Sequence, residues 1–106
     1  MKWNPLVAGA ALVLSTFAAH AQDALKIAVI APFSGPFADY GRQIESGMRA
    51  WLQQHGDVIA GRKVVLISKD TTGPAPEVAK RLAQEAVVRD KVDFLAGFGL
   101  TPEALA

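Results

Sequence analysis

The side chains whose type and setting could do chemistry are Ser34, Tyr40, His55, Asp70 and Thr101. Ser34 is a possible nucleophile, but it stands between Phe33 and Gly35 and in no G-x-S-x-G elbow. The loop around it, Pro32-Phe33-Ser34-Gly35-Pro36-Phe37-Ala38-Asp39-Tyr40-Gly41, has neither the G-x-G-x-x-G of a dinucleotide binder nor the G-K-[ST] of a phosphate loop. His55 is a possible base, yet it falls near the end of a helical run, where contact with the last carbonyls accounts for it. With no cysteine, a thiolate metal site and a disulfide framework are both excluded. No catalytic residue, metal or cofactor is expected, and the chain reads as no enzyme.

Binding chemistry remains. Asp70 follows a strand, where a carboxylate caps or fixes the next loop. Tyr40 offers an aromatic wall at the mouth of a cleft, or packing beside a helix start. Thr101, followed by Pro102 and Glu103, suits a helix N-cap, and a helix N-terminus is also an anion site. The two uses of Thr101 are compatible.

The elements that position these residues follow from hydrophobic spacing. Residues 25–31, LKIAVIA, form a nearly continuous apolar run that fits a strand buried on both faces. A Pro- and Gly-rich loop follows. From about residue 41 to 55, Ile44, Met48, Trp51 and Leu52 recur at helical spacing, and Gly56 is a plausible stop. Residues 57–62 read as a turn, 63–68 as a second strand and 70–76 as a loop. A second helix spans about 76–89, burying Val78, Ala79, Leu82, Ala83, Ala86 and Val87, with Glu77–Arg81 and Glu85–Arg89 as acid-before-base pairs on its wet side. Residues 92–97 are a third strand, and a third helix opens at Thr101.

The order β-α-β-α-β-α predicts an α/β fold: a three-layer, doubly wound parallel sheet with right-handed crossovers and strand order starting 2-1-3. In such a sheet ligands sit outside the carboxyl ends of the strands at the switch point. The first and third strands feed the loops that end at Tyr40 and at Thr101, so two separate segments converge on one crevice.

The N-terminus carries an address. Lys2 supplies a positive n-region, residues 6–19 are uncharged and apolar, and Ala19-His20-Ala21 reads as a signal-peptidase site with Gln22 as the first mature residue. The apolar run is shorter than the ~20 residues of a membrane span. Of the 11 basic residues Lys2 alone lies in that leader, so the mature chain balances 10 basic against 10 acidic side chains. That balance excludes nucleic acid and an anionic membrane surface as partners. The chain closes on what reads as the opening of a helix, and is expected to be a truncated piece of a larger protein.

The leader, L-K-I-A-V-I-A-P-F-S-G-P-F-A-D-Y-G, Gly47-Met48 in the helix, V-V-L-I-S-K-D, P-E-V-A at a helix start and F-L-A-G-F-G-L-T-P together resemble the leucine/isoleucine/valine-binding periplasmic proteins. These are type I solute-binding components of ABC importers, built from two α/β lobes around a hinge. The resemblance implies a signal peptide over 1–21 and, over 22–106, an incomplete N-terminal part of the first lobe. It implies a periplasmic protein, monomeric when full length, that binds branched-chain amino acids or related small carboxylates and amides and delivers them to a membrane permease. Tyr40 would line the cleft. Gly99, Leu100 and Thr101 would meet the solute through backbone groups and the hydroxyl. Leucine binders carry serines where this chain has Thr101-Pro102-Glu103, so aromatic acids stand beside leucine as solutes. An extracellular ligand-sensing domain of a receptor with the same fold is the alternative function.

Overall fold

The computed structural model describes residues 23–106, so the expected leader and cleavage site lie outside the described residues. The chain runs β1 (Leu25–Ala31), α1 (Ala38–His55), β2 (Val58–Ile59), β3 (Arg62–Asp70), α2 (Pro76–Val88), β4 (Phe94–Gly97) and α3 (Thr101–Ala104), with a 3-10 turn at Gly35–Phe37. The sheet order is β2-β3-β1-β4. β1 pairs in parallel with β3 on one side and with β4 on the other. These three are the expected strands in the expected 2-1-3 order.

β1 is the centre of the molecule. Ala28, Val29, Ile30 and Ala31 are all 0% exposed, and four consecutive buried residues in a strand mean that both faces are covered. The helices that cover them can be assigned from β3. Ser68 Oγ donates to Glu45 of α1 at 2.8 Å, while its neighbour Lys69 reaches Glu85 of α2 at 3.1 Å. Successive strand residues point to opposite faces, so α1 and α2 lie on opposite sides of the sheet. Three layers result.

Lys69 is only 11% exposed and sits between Glu85 and Asp90. Its pKa is raised, first by the hydrogen bond to Asp90, against the opposing effect of burial. Arg89 closes the group by pairing with Glu85 and Asp90. At the opposite, amino-terminal edge, Arg62 donates to the carbonyls of Asp23 and Ala24 and pairs with Asp93 at 2.9 Å. Asp93 in turn accepts the Lys26 N–H at 2.9 Å. One guanidinium and one carboxylate thereby bind the starts of β1, β3 and β4 together.

Several boundaries depart from the sequence reading. Within 57–62 lies β2, antiparallel to the start of β3 rather than a plain turn. Ala60 and Gly61 connect them at φ 51 and 76, the two positive values that a tight hairpin requires. An Asn-Gly pair would have announced it; alanine does not. β4 begins at Phe94 rather than Val92, because Asp93 turns its carboxylate into the edge clamp. α1 begins at Ala38, three residues earlier than the apolar stripe suggests, which moves Tyr40 from the loop into the first helical turn. Gly56 does end α1, at φ 90.

Two residues read as core are not. Trp51 is 49% exposed and stacks on His55 with ring centroids 4.3 Å apart, at the margin of the stripe rather than in it. Val87 is 50% exposed because Ala79, Leu82 and Ala86 already face the sheet, and one further residue turns it away. Glu85–Arg89 forms as expected, whereas Arg81 pairs with Glu85 at 3.7 Å instead of with Glu77.

Candidate functional site

At the carboxyl edge of the sheet Ala31 lies opposite Asp70, and Ile30 opposite Gly97. Hydrogen bonding to β1 continues one residue beyond each neighbour. The Thr71 N–H donates to the Ala31 carbonyl at 3.0 Å, and the Phe98 N–H to the Ile30 carbonyl at 2.5 Å. Three loops leave this edge together, 32–37, 71–75 and 98–100.

Asp70 joins the first two loops. Its Oδ1 accepts the Phe33 N–H at 2.8 Å and the Thr72 N–H at 2.7 Å. Burial works to raise its pKa, but hydrogen bonds from the Ser34 hydroxyl and from the backbone of Phe33, Thr72 and Ser34 outweigh that and hold it below the usual value. The loop-fixing role expected of Asp70 is the one it has, and Ser34 is drawn into the same network.

Two glycines make the close approaches possible. The Gly41 N–H donates to the Pro32 carbonyl at 3.1 Å, and a Cβ at Gly41 would lie 2.3 Å from that oxygen. Only glycine lets α1 start against the first loop, which fixes Tyr40 one residue away. Gly97, at φ 97, ends β4 so tightly on β1 that a Cβ would meet the Ile30 carbonyl oxygen at 2.5 Å.

The loops that follow β1 and β4 then meet. A Cβ placed on Gly99 would lie 3.3 Å from Pro32 Cδ and 4.0 Å from Tyr40 Cβ. The loop after β4 rests directly on the loop and helix after β1, so the structure brings Gly99 to Tyr40, with Leu100 and Thr101 next in line. Tyr40 is 51% exposed and leans on Phe37, ring centroids 6.1 Å apart. Among the described residues, the N–H groups of Gly99, Leu100 and Thr101 donate to no other group of the chain. An aromatic face beside uncommitted N–H groups and a hydroxyl can hold a small planar or apolar molecule that ends in an acceptor.

Thr101 differs from expectation in one respect. Leu100, with φ −133 and ψ 142, occupies the N-cap position of α3, and Thr101 is the first helical residue. The non-helical backbone of an N-cap falls one residue earlier than the sequence suggests, so the Thr101 hydroxyl is not a helix cap. His55 lies away from this edge, its Nδ1 2.9 Å from the Trp51 carbonyl oxygen, as its place near the helix end suggests. Among the described residues no three of His, Cys, Asp and Glu come together as a metal site.

One residue escaped sequence reasoning. Glu103 is 2% exposed; its Oε1 accepts the Ala75 N–H at 3.4 Å, and its Oε2 has no partner among the described residues. The signal was Ala75, which begins α2 with no side chain able to cap it.

Known proteins share this frame. A family model for periplasmic binding proteins matches residues 24–106. The Leu/Ile/Val-binding protein homolog 6 of Brucella abortus (strain 2308) is 42% identical over 106 residues, covering 100% of this chain and 27% of that protein. A solute binding protein of an ABC transporter from Rhodopseudomonas palustris BisB5, solved with 3,4-dihydroxybenzoic acid, superposes with a TM-score of 0.74 at 44% identity, over 79% of this chain and 23% of that one. Its counterpart from R. palustris HaA2, solved with p-hydroxybenzoic acid, gives 0.75 at 39% identity, over 79% and 23%. A leucine binding protein from Thermotoga maritima gives 0.69 at 27% identity, over 76% and 23%. This chain thus spans about a quarter of the length of the relatives it matches. Fold, strand order and sequence agree, and the chain belongs to the periplasmic binding protein family.

Proposed function

We propose that the chain is the N-terminal part of the first lobe of a solute-binding protein serving an ABC importer. Its leader, 1–21, is removed in export, and the mature protein works in the periplasm without catalysis. It captures a small carboxylate at the carboxyl edge of the sheet and presents it to a membrane permease. The observation that carries this reading is the seating of Gly99 against Tyr40 and Pro32. That contact joins an exposed aromatic face to the uncommitted N–H groups and hydroxyl of 99–101 at the switch point of a doubly wound sheet.

Aromatic carboxylates of the benzoate class are the favoured solutes. The Tyr40 ring suits a planar partner, since aromatic pairs gain about 0.5–1.5 kcal/mol beyond burial, and the R. palustris relatives hold hydroxylated benzoates. Leucine is the second reading, supported by the name of the B. abortus relative.

The test is calorimetric titration of the mature protein, expressed from its complete reading frame, with benzoate, 4-hydroxybenzoate, 3,4-dihydroxybenzoate and L-leucine. Saturable one-to-one binding of a benzoate tighter than that of leucine is expected. The reverse order selects leucine, and failure of all four refutes the small-carboxylate reading. A mass beginning at Gln22 in the periplasmic fraction checks the processing; a mass beginning at Met1 contradicts it.

A further inference from the structure

We infer that Glu103 is a positioning residue for the solute site, a cap supplied from α3 that docks the 98–101 loop onto the start of α2; this rests on the binding reading above. α2 lacks the usual means of satisfying its first N–H groups. Its N-cap is Ala75, which has no side-chain acceptor, and Pro76 follows it. In a capping box the third helical residue is Glu or Gln and reaches back to the N-cap N–H. Here that position is Val78, which cannot. Glu103 takes the vacant role from another helix, its Oε1 accepting the Ala75 N–H at 3.4 Å. That distance is long for such a bond, and the acceptor lies at the positive end of a 13-residue helix.

Burial makes the contact consequential. Glu103 is 2% exposed and two residues from Thr101. A carboxylate is costly to bury without partners, so its position against α2 constrains the short α3 and the loop that precedes it. Gly99 is held from the other side by Pro32 and Tyr40. The 98–101 loop is thus clamped between the first loop and α2, and Glu103 supplies the second jaw.

The test is hydrogen–deuterium exchange of the mature protein from its complete reading frame, comparing wild type with Glu103→Gln and Glu103→Met. 4-Hydroxybenzoate and L-leucine are titrated in parallel. Met fills the same space without an acceptor; if Glu103 only packs, it leaves the 98–101 segment unchanged and raises stability. If Glu103 positions the loop, Glu103→Met speeds exchange in both 72–79 and 98–101 about tenfold, as for leaving one part-buried N–H without its acceptor. Affinity for whichever probe binds falls by a similar factor. Glu103→Gln keeps an acceptor and stays within about threefold on both readouts. Wild-type exchange over 98–101 in Glu103→Met overturns the inference, as does faster exchange with unchanged affinity. Should Glu103→Met not fold, Glu103→Asp, one methylene short of Ala75, replaces it. Should neither probe bind the wild type, the binding reading fails while exchange still decides whether Glu103 docks the loop.

Discussion

The Phe33 N–H donates to Asp70 Oδ1 at 2.8 Å, across 37 residues of sequence, and thereby ties the loop after β1 to the end of β3. The same oxygen accepts the Thr72 N–H, so one carboxylate orders two of the three loops at the candidate site.

Removing that carboxylate should loosen both loops. Asp70→Ala is expected to lower stability by about 2 kcal/mol, since hydrogen bonds to a charged group contribute roughly 1.5–3 kcal/mol. The Asp70 pKa is depressed below 3.8, so the folded state holds its proton less tightly than the unfolded state does. Its stabilisation is present above the unfolded value and lost as pH falls through the folded one. Urea melts between pH 5 and 2 should therefore show a shallower acid loss in Asp70→Ala than in wild type. Parallel curves would contradict the assignment.

The Lys69 group makes a second prediction in the same pH range. Glu85 and Asp90 both have lowered pKa values, each first through the hydrogen bond from Lys69. Their stabilisation is present above the ordinary carboxylate values of 4.5 and 3.8 and disappears on acidification. Lys69→Met removes the donor, so the variant should be less stable near neutrality and lose less on acidification. Chemical melts at pH 7 and pH 3 check both halves; a Lys69→Met protein as stable as wild type at pH 7 would show the group to be inert.

Glycine substitutions separate tight places from open ones. Gly97→Ala puts a Cβ 2.5 Å from the Ile30 carbonyl oxygen at a φ of 97. A cost of about 2 kcal/mol or more is expected, within the range for a strained backbone position. Gly47, within α1, has nothing within 4 Å of the added atom. Gly47→Ala should stabilise by about 0.5–1 kcal/mol through helix propensity. Thermal melts of the two variants should move in opposite directions.

Solute affinity tests the two walls. If the Thr101 hydroxyl donates to a carboxylate, Thr101→Val leaves a charged acceptor unpaired at a cost of roughly 1.5–3 kcal/mol, about tenfold or more in affinity. Because Leu100 holds the N-cap position, the folding stability of Thr101→Val should stay within about 0.5 kcal/mol of wild type. Tyr40→Ala should weaken binding comparably by removing the aromatic face. Titration beside a denaturant melt reads both quantities; wild-type affinity in both variants would place the solute elsewhere.

The parts legible in the sequence were those set by local pattern. The LKIAVIA run announces a strand covered on both faces, and the apolar spacing of α1 and α2 fixes their inner sides. What escaped depends on partners distant in the chain. β2 has no residue pair that signals a tight hairpin, because Ala60 takes a positive φ without being a type that favours it. Trp51 looks like core by spacing, yet its ring lies on His55 at the rim. From topology alone, Tyr40 and Thr101 could be assigned to the same edge of the sheet. The seating of Gly99 on Tyr40, and the burial of Glu103 against Ala75, needed three dimensions.

The Ile30 and Pro32 carbonyls, two residues apart, each hold one wall of the candidate site: Ile30 takes the Phe98 N–H, and Pro32 takes the Gly41 N–H beside Tyr40. Both walls are therefore measured from the same short stretch of backbone, in which no side chain takes part. The spacing of the two walls here is set by backbone hydrogen bonds rather than by the side chains of β1, whereas a side chain at Gly99 would press on Pro32 and Tyr40. A frame of this kind confines change in these loops to positions other than Gly41, Gly97 and Gly99, where an added Cβ meets Pro32 or Ile30.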